Sequence, residues 1–177
     1  MEFPTPRPLL GEEAIAARVA ELAARISADY AGAGELSLVG VLEGASRFLR
    51  DLSGRLTVPR RADFLSVAHY GDGAVPTGEV RLRRDLHGDI AGRHVLLVED
   101  IVDTGATLGF VQRLLRARDP ASLEICALLR KAKRRDPEPD VAYVGFEIAD
   151  EWVVGYGLDY ADRYRTLPYV GVIDPPG

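Results

Sequence analysis

The chain has 177 residues, of which 47% are hydrophobic and 28% charged, and its formal net charge is −5. This length and composition suit one globular domain with a sizeable core, and the acidic balance argues against bulk nucleic-acid binding. The lone cysteine, Cys126, excludes an intrachain disulfide framework and a cysteine-rich zinc site. Because no stretch resembles a signal peptide or a membrane span, we expect a cytoplasmic location and no membrane partner.

The first half of the chain alternates helical and extended patterns. The Pro-rich segment from Met1 to Leu10 predicts a loose N-terminal arm before a single domain covering residues 11–177. Turn residues then separate an amphipathic helix, a strand, a short helix and a second strand. A glycine-containing loop and a charged extended ribbon follow. In order, these segments are Gly11 to Tyr30, Leu36 to Leu42, Arg47 to Leu52, Ala62 to Ala68, His69 to Thr77 and Glu79 to Leu86.

The second half begins with a continuous apolar run, Val95 to Val98, typical of a buried parallel strand. A helical pattern starting at Leu108 follows and ends near Arg118, before Asp119 and Pro120. Strands alternating with helices predict an α/β fold with a mostly parallel sheet. The remaining extended or short apolar segments are Ser122 to Leu129, Val141 to Ile148, Val153 to Leu158 and Tyr169 to Ile173.

The stretch between this strand and this helix carries the chemistry. Two adjacent carboxylates, Glu99 and Asp100, end the apolar run, and the small polar segment Asp103 to Thr107 leads into the helix. Backbone N–H groups at such a helix start favour an anion. Carboxylates in the same place suit ribose hydroxyls or Mg²⁺. The spacing therefore predicts a ligand that carries both phosphate and sugar.

This stretch, VLLVEDIVDTGATL, resembles the 5-phosphoribosyl 1-diphosphate (PRPP) signature of the type I phosphoribosyltransferases. The resemblance extends over roughly Glu12 to Ile173 and is similar to the hypoxanthine (hypoxanthine-guanine) phosphoribosyltransferases. It implies their fold, which has a mostly parallel sheet flanked by helices, a small hood and a flexible active-site lid. Four further stretches carry it: VGVLEGASRFLRDL, DFLSVAHYGDGAVPTGEV, ALLRKAKRR and YVGFEIADEWVVGYGLDYADRYRTLPYVGV.

The resemblance implies a Mg²⁺-dependent purine salvage transferase that makes IMP, and GMP from guanine, with release of diphosphate. It assigns Asp103 as the catalytic base beside the purine N7 proton, although an aspartate here also suits a plain helix N-cap. It assigns Glu99, Asp100 and Asp159 to the metal. The residues implied for PRPP and phosphate binding are Glu99, Asp100, Asp103, Thr104, Gly105, Ala106, Thr107, Leu42, Glu43, Gly44 and Arg165.

The purine pocket implied by the resemblance contains Lys131, Trp152, Val153 and Asp159. Lys131 would donate to the 6-oxo group, and Trp152 would stack on the ring with Val153 at the base edge. The residues taken alone also allow a solvated charge run around Lys131, core packing of Trp152, and ordinary surface positions for Asp159 and Arg165. Arg135 is expected near the phosphate site or a subunit interface.

Two positions depart from the family pattern. Glu43 stands where a lysine is common, so we expect only the backbone of the Leu42–Glu43–Gly44 turn to serve diphosphate. The family often has a cis peptide at this turn, and the sequence leaves open whether the Leu42–Glu43 peptide is cis. His69 replaces a serine at the start of the lid. Its neighbour Tyr70 begins the segment, up to Glu79, that we expect to be poorly ordered without ligand and to exclude water when closed.

Two other functions remain open from the sequence. One is a xanthine-preferring purine phosphoribosyltransferase, since base preference depends on few contacts. The other is a non-catalytic regulator that senses PRPP on the same fold. The expected partners are the small-molecule substrates and further copies of the chain, as a homodimer or homotetramer, with no nucleic acid.

Overall fold

The computed structural model describes residues 4–70, 79–135 and 137–174. Helices and strands alternate along much of this part of the chain, as the apolar patterns predict. In chain order the elements are β1 (Arg7–Leu10), α1 (Glu12–Asp29), β2 (Leu36–Leu42), α2 (Ser46–Ser53), β3 (Arg60–Tyr70), β4 (Glu79–Arg84), β5 (His94–Val102), α3 (Ala106–Arg116), β6 (Ser122–Lys131), β7 (Tyr143–Ile148), β8 (Val153–Val154) and β9 (Val170–Val172).

The main sheet has six strands in the described residues, in the order β4-β3-β2-β5-β6-β7. Its strands β3, β2, β5, β6 and β7 run parallel, and β4 returns antiparallel beside β3. Because β2 pairs with β3 on one side and with β5 on the other, the winding reverses between β2 and β5. Ligands of open α/β sheets bind at the carboxyl ends of the strands at such a reversal. The loops that follow β2 and β5 therefore define the candidate site.

Helices α1 and α2 cover one face of the sheet. The apolar side chains of α1 recur at helical spacing, so they form one stripe that faces the sheet. Burying this stripe and the apolar face of α2 in one core fixes the start of α2 beside the end of β2. The buried side chains of the two helices in this core are Ile15, Val19, Leu22, Ile26, Phe48, Leu49 and Leu52.

Helix α3 covers the opposite face. Its buried side chains, Leu108, Val111 and Leu115, pack in the core that also holds Val95 and Leu97 of β5. The alternate residues of β5 belong to the first core, because successive side chains of a strand point to opposite faces. The prediction of a buried parallel strand at Val95 to Val98 is confirmed. Among the described residues, no helix combines the length and apolarity needed to cross a membrane.

A small antiparallel sheet, in the order β1-β9-β8, forms the hood beside the main sheet. Strand β1 pairs with β9, with Arg7 opposite Val172 and Leu10 opposite Val170. The prediction of a loose arm is therefore wrong for Arg7 to Leu10. Extended backbone satisfies its polar groups by joining a strand edge, which the Pro-rich composition did not reveal.

Two boundaries differ from the sequence expectation. Strand β5 continues to Val102, so Glu99 and Asp100 lie within the strand, and Glu99 pairs with Ala127 of β6. The backbone of His69 and Tyr70, expected to open a loop, instead ends β3 and pairs with β4. Ladder hydrogen bonds to the charged ribbon extend β3 through these two residues. The rest of the expected lid, residues 71–78, lies outside the described residues.

Candidate active site

A cavity of about 300 Å³ lies at the carboxyl ends of β2 and β5. Its walls come from the turn after β2, the end of β5, the loop that enters α3 and the segment between β8 and β9. These segments are far apart in the sequence, and the reversal of the sheet brings them together. The sequence-predicted residues that line it are Leu42, Glu43, Gly44, Glu99, Asp100, Asp103, Thr104, Gly105, Thr107, Asp159 and Arg165.

Two carboxylates lie side by side in this cavity. The Glu99 side chain is buried, and its Oε1 has no hydrogen-bond partner among the described residues. Burial and the neighbouring Asp100 carboxylate raise the pKa of Glu99 well above its usual value. Burial raises the pKa of Asp100 to about 6, although the Ile101 N–H donates to its Oδ1 at 2.7 Å. A bound cation or hydroxyl donors would therefore stabilise both anions.

The donor set at this point fits Mg²⁺ held largely by a substrate. Glu99 and Asp100 offer carboxylate oxygens, and Asp159 lines the same cavity. In the described part of the chain, no three His, Cys, Asp or Glu residues form a ready-made metal cage. Mg²⁺ is commonly bound by one or two carboxylates together with waters and substrate phosphates. The orphaned Glu99 oxygen suits that mode of binding.

The loop from Asp103 to Ala106 has the geometry of an anion site. Gly105 has φ 85°, in the left-handed region that favours glycine, and it directly precedes α3. The Ala106 N–H faces the Thr104 hydroxyl oxygen at 3.3 Å, and α3 has no acidic residue in its first turn. The helix N-terminus and its backbone N–H groups therefore favour a phosphate.

The turn after β2 packs tightly against the acidic pair. The Leu42–Glu43 peptide is cis, a point that the sequence left open. A Cβ added to Gly44 would lie 1.7 Å from the Asp100 Oδ2, and one added to Gly157 would lie 2.2 Å from the Gly44 carbonyl oxygen. Two glycines therefore permit the close approach of this turn to β5 and to the hood.

Arg165 places a cation at the hood side of the cavity. Its Nη2 lies 2.7 Å from the Asp159 Oδ1, and its Nη1 donates to the Gly157 carbonyl oxygen at 2.8 Å. Its Nε lies 3.9 Å from the carboxylate of Glu43, whose side chain is 76% exposed. The guanidinium is thus held at the cavity by the hood and can meet an anion there with its fork of donors.

Next to the phosphate loop, Asp103 and Lys131 form an ion pair. The Lys131 Nζ lies 3.1 Å from the Asp103 Oδ2 and 3.1 Å from the Asp150 Oδ1, and the Lys131 side chain is 9% exposed. Lys133 also pairs with Asp103, and it lies 3.2 Å from Asp150. Burial acts to raise the pKa of Asp103, but the hydrogen bonds from Lys133 and Lys131 outweigh it and lower that pKa. The carboxylate is therefore held ionised.

The sequence reasoning missed Lys133 and Asp150 as members of this cluster. The run of cations from Arg130 to Arg135 masked Lys133, because such runs are ordinarily solvated. Its spacing of two from Lys131 at the end of a strand is the signal that could have placed both on one side. Asp150 carried no comparable signal, since it reaches the cluster through the pairing of β6 with β7, in which Lys131 lies opposite Ile148.

Trp152 presents an open aromatic face. Its side chain is 57% exposed, and its ring lies edge-on to Tyr160 with centroids 6.0 Å apart. Val153 is buried in β8 and pairs with Val172 of β9. A large apolar ring left in solvent suits the stacking of a planar ligand.

The chain matches the phosphoribosyl transferase domain over residues 9–161. It belongs to the phosphoribosyl transferase family. The hypoxanthine phosphoribosyltransferase of Salmonella typhimurium is 48% identical over 166 residues, 93% of each protein. The hypoxanthine-guanine phosphoribosyltransferase of Mycobacterium avium is 46% identical, over 94% of this chain and 85% of the relative. A crystal structure of a hypoxanthine phosphoribosyltransferase from Staphylococcus aureus superimposes with a TM-score of 0.89 at 44% sequence identity. The match covers 96% of this chain and 91% of that one.

These relatives confirm the resemblance inferred from the sequence and the type I phosphoribosyltransferase fold, and the chain is an enzyme of this purine salvage group. The fold of this phosphoribosyltransferase places most of the residues that were predicted to bind PRPP around one cavity. Lys131 adjoins that cavity through Asp103, whereas Trp152 and Val153 belong to the hood. Ala106 lines a neighbouring groove on the outer side of the phosphate loop.

Proposed function

We propose that this phosphoribosyltransferase joins hypoxanthine, and also guanine, to the phosphoribosyl group of PRPP, forming IMP or GMP and diphosphate. The observation that carries the proposal is the 3.1 Å contact between the Lys131 ammonium and the Asp103 carboxylate beside the phosphate loop. The names of the Salmonella and Mycobacterium relatives support the same activity.

The Asp103–Lys131 pair matches one edge of a 6-oxopurine. That edge presents a ring N7–H donor beside the O6 acceptor. A carboxylate can accept from N7–H while an ammonium donates to O6. An adenine would place its 6-amino donors against the Lys131 ammonium, which leaves both donors unpaired. The pair therefore selects 6-oxopurines over 6-aminopurines.

The other cavity residues bind different chemical groups of PRPP. We assign the 5′-phosphate to the loop from Asp103 to Thr107, where backbone N–H groups and two threonine hydroxyls lie at the start of α3. Glu99 and Asp100 receive the ribose hydroxyls. The diphosphate lies against the backbone of the Leu42–Glu43–Gly44 turn and the Arg165 guanidinium, because a doubly anionic leaving group needs fixed donors.

Mg²⁺ completes the site through Glu99, Asp100 and Asp159. The buried Glu99 oxygen without a hydrogen-bond partner is the structural reason to place a cation there. When bound, the ion supplies positive charge to the diphosphate and so makes it a better leaving group. The pKa of about 6 at Asp100 implies that protons compete with the ion below that pH.

The reaction is a displacement at C1′ of the sugar. The bond from C1′ to the diphosphate oxygen breaks, and a bond from C1′ to the purine N9 forms. The proton on N7 passes to the Asp103 carboxylate, which two lysines hold ionised. Lys131 meanwhile stabilises the negative charge that develops at O6. Charge on the departing diphosphate is met by Arg165 and the turn amides.

Trp152 and Val153 complete the purine pocket. The exposed indole face stacks on the base, a contact worth about 1–3 kcal/mol. The Val153 backbone lies at the base edge. Asp159 was also predicted to contact the purine. Its 2.7 Å contact with Arg165 supports the diphosphate and metal role more directly.

We also propose three features from the sequence. His69, Tyr70 and the segment that follows form the lid that excludes water during transfer. The enzyme works in the cytoplasm, and it assembles as a homodimer or homotetramer. Light scattering on purified protein measures the last feature, and a monomer at micromolar concentration would contradict it.

The function is tested by mixing the purified protein with PRPP, Mg²⁺ and, separately, hypoxanthine, guanine, xanthine or adenine. Nucleotide formation is followed by absorbance and identified by mass. We expect turnover with hypoxanthine and guanine, none with adenine, and complete loss on chelation of the metal. Fastest turnover with xanthine would instead support the xanthine-preferring alternative. Folded protein that binds PRPP but converts no base would support the regulator.

A further inference from the structure

Arg135 is buried beneath the site, and its side chain is 3% exposed. A guanidinium carries five N–H donors in a fixed planar fork. Here all five have acceptors, four of which are backbone carbonyls. The Nε donates to Asp103 at 2.6 Å, Nη2 to Val102 at 3.0 Å and Lys131 at 2.6 Å, and Nη1 to Lys133 at 3.0 Å and to the Glu138 carboxylate at 3.1 Å.

These carbonyls lie on two different segments of the chain. The register between β5 and β6 ends with Val102 opposite Arg130. Beyond this point the two backbones separate, one into the phosphate loop and the other into the turn after β6. Arg135 fills the gap, with two bonds to the β5 side and two to the β6 side. The guanidinium therefore joins the two segments where the backbone pairing between β5 and β6 ends.

The residues on the two sides are the ones that the proposed chemistry uses. Asp103 and Lys131 each have their backbone carbonyl bound by Arg135 and their side chains paired with each other. The stem of Arg135 also passes under the phosphate loop, because a Cβ added to Gly105 would lie 3.7 Å from the Arg135 Cδ. One buried side chain thus contacts the backbone of Asp103, the backbone of Lys131 and the phosphate loop.

We propose that Arg135 is a positioning residue that fixes the spacing between the Asp103 carboxylate and the Lys131 ammonium. It does not touch the substrates. It holds the two backbone segments at the separation that lets one purine edge meet both side chains. The proposal rests on the function proposed above.

Lysine cannot replace this arginine. Its three donors radiate from one atom, whereas the five acceptors here surround a plane. A lysine retains the charge beside Glu138 but only part of the bridge. A misplacement of catalytic groups by about 1 Å can lower the rate by about 100-fold. The expected order of kcat is therefore wild type, then Arg135→Lys, then Arg135→Gln.

The test compares Arg135→Lys and Arg135→Gln with wild type. The matched control is Arg134→Gln, because Arg134 is adjacent and exposed. The concentration of folded sites is measured by PRPP binding, so that kcat refers to native protein. We expect kcat with hypoxanthine to fall by about 10- to 100-fold in the Arg135 variants and to stay unchanged in Arg134→Gln.

The pH profile separates positioning from plain stability. The charged groups that face Asp103 are Lys131 and Lys133 of the β6 side, with Asp150, which follows β7, beyond them. If the two segments separate, Asp103 loses its lysines and the acidic limb of kcat/KM moves to higher pH. If Arg135 only stabilised the fold, its replacement would lower Tm and leave the acidic limb of kcat/KM at its wild-type pH.

Each result gives a decision. A lower kcat per folded site with a displaced acidic limb supports the role of Arg135, and Arg135→Lys alone suffices for this if Arg135→Gln does not fold. Wild-type kcat and an unmoved limb in either folded variant overturn it. If the wild type itself forms no nucleotide, the proposed function fails instead. Normal kinetics of the Arg135 variants beside an active wild type refute only the positioning role.

Discussion

The Lys131 ammonium lies 3.1 Å from the Asp103 carboxylate and joins the end of β6 to the loop after β5. Asp150 and Lys133 complete a cluster with two positive and two negative charges. Hydrogen bonds from the two lysines lower the pKa of Asp103 against the effect of burial, so its carboxylate is ionised before a base arrives. Charge pairing in advance reduces the reorganisation that the transition state requires.

Asp103→Asn removes the proposed proton acceptor while preserving size. We expect kcat to fall by about 10²- to 10⁴-fold, the usual contribution of a positioned general base. PRPP affinity should persist, because the loop amides and threonines hold the phosphate. The measurement combines steady-state kinetics with calorimetric PRPP binding. Asp150→Asn is the matched control and should keep most of its kcat; an Asp103→Asn enzyme as fast as wild type would refute the base assignment.

Lys133→Met tests how the cluster controls Asp103. Lys133 lowers the pKa of Asp103 through its hydrogen bond, so its removal raises that pKa. A higher pKa means that Asp103 becomes protonated at a higher pH. The acidic limb of kcat/KM therefore moves upward in pH, and Lys133→Arg should leave it near the wild-type position. Superimposable profiles for Lys133→Met and wild type would show that Lys133 does not tune the base.

Gly44→Ala tests the contact between the diphosphate turn and the acidic pair. The new methyl group would lie 1.7 Å from the Asp100 Oδ2, and overpacking of this kind costs about 1–3 kcal/mol. We expect PRPP affinity to fall by about tenfold or more, as measured by calorimetry, because the turn or the carboxylate must move. Gly109→Ala is the control, since its Cβ meets only the Arg113 Nη1 at 3.5 Å.

The glycine control should itself become more stable. Gly109 lies within α3, where alanine is favoured over glycine by about 0.5–1 kcal/mol. Its Tm should rise and its PRPP affinity should match wild type. Equal PRPP binding by Gly44→Ala and Gly109→Ala would mean that the turn does not serve the diphosphate.

Asp100→Asn should abolish activity and increase the stability of the folded protein. The pKa of Asp100 is raised from 3.8 to about 6 by burial, so the folded protein binds this proton more tightly than the unfolded chain. Wild-type stability therefore falls as the pH rises from about 4 to about 6. Above this range the variant should be more stable by about 1–3 kcal/mol without metal, and inactive.

Thermal unfolding between pH 4 and pH 8, with no added metal, measures this gain in stability. The Tm advantage of Asp100→Asn over wild type should grow across the range and be smallest at pH 4. Asp140→Asn, at an exposed position, should show no such trend. A pH-independent difference in Tm between Asp100→Asn and wild type would show that the Asp100 charge carries no cost in the native state.

The sequence was enough to predict the sheet and most of the cavity. Apolar runs such as Val95 to Val98 are dictated by burial on both faces, and the acids and threonines after them form a contiguous motif. Leu42 to Gly44, Asp159 and Arg165 came from the extended resemblance. Their meeting in one cavity follows from the reversal of the sheet between β2 and β5.

The sequence did not predict features that depend on distant backbone. The pairing of Arg7 to Leu10 with β9 requires an edge that only the folded hood provides. The five bonds of Arg135 and the contact of Lys133 with Asp150 are equally invisible in a run of cations. A solvated charged run and a buried one have the same sequence pattern. Only the positions of neighbouring carbonyls and carboxylates in the fold distinguish them.

The most direct measurement is the ratio of kcat/KM for hypoxanthine to that for adenine, in wild type and in Lys131→Met. If the Asp103–Lys131 pair reads the 6-oxo edge, the wild type strongly prefers hypoxanthine. Loss of the charged hydrogen bond from Lys131, worth about 1.5–3 kcal/mol, should then reduce the ratio by about 10- to 150-fold. Arg130→Gln, which only loses an exposed pair with Glu147, should keep the wild-type ratio. An unchanged ratio in an active Lys131→Met enzyme would contradict the assignment of this pair to purine recognition.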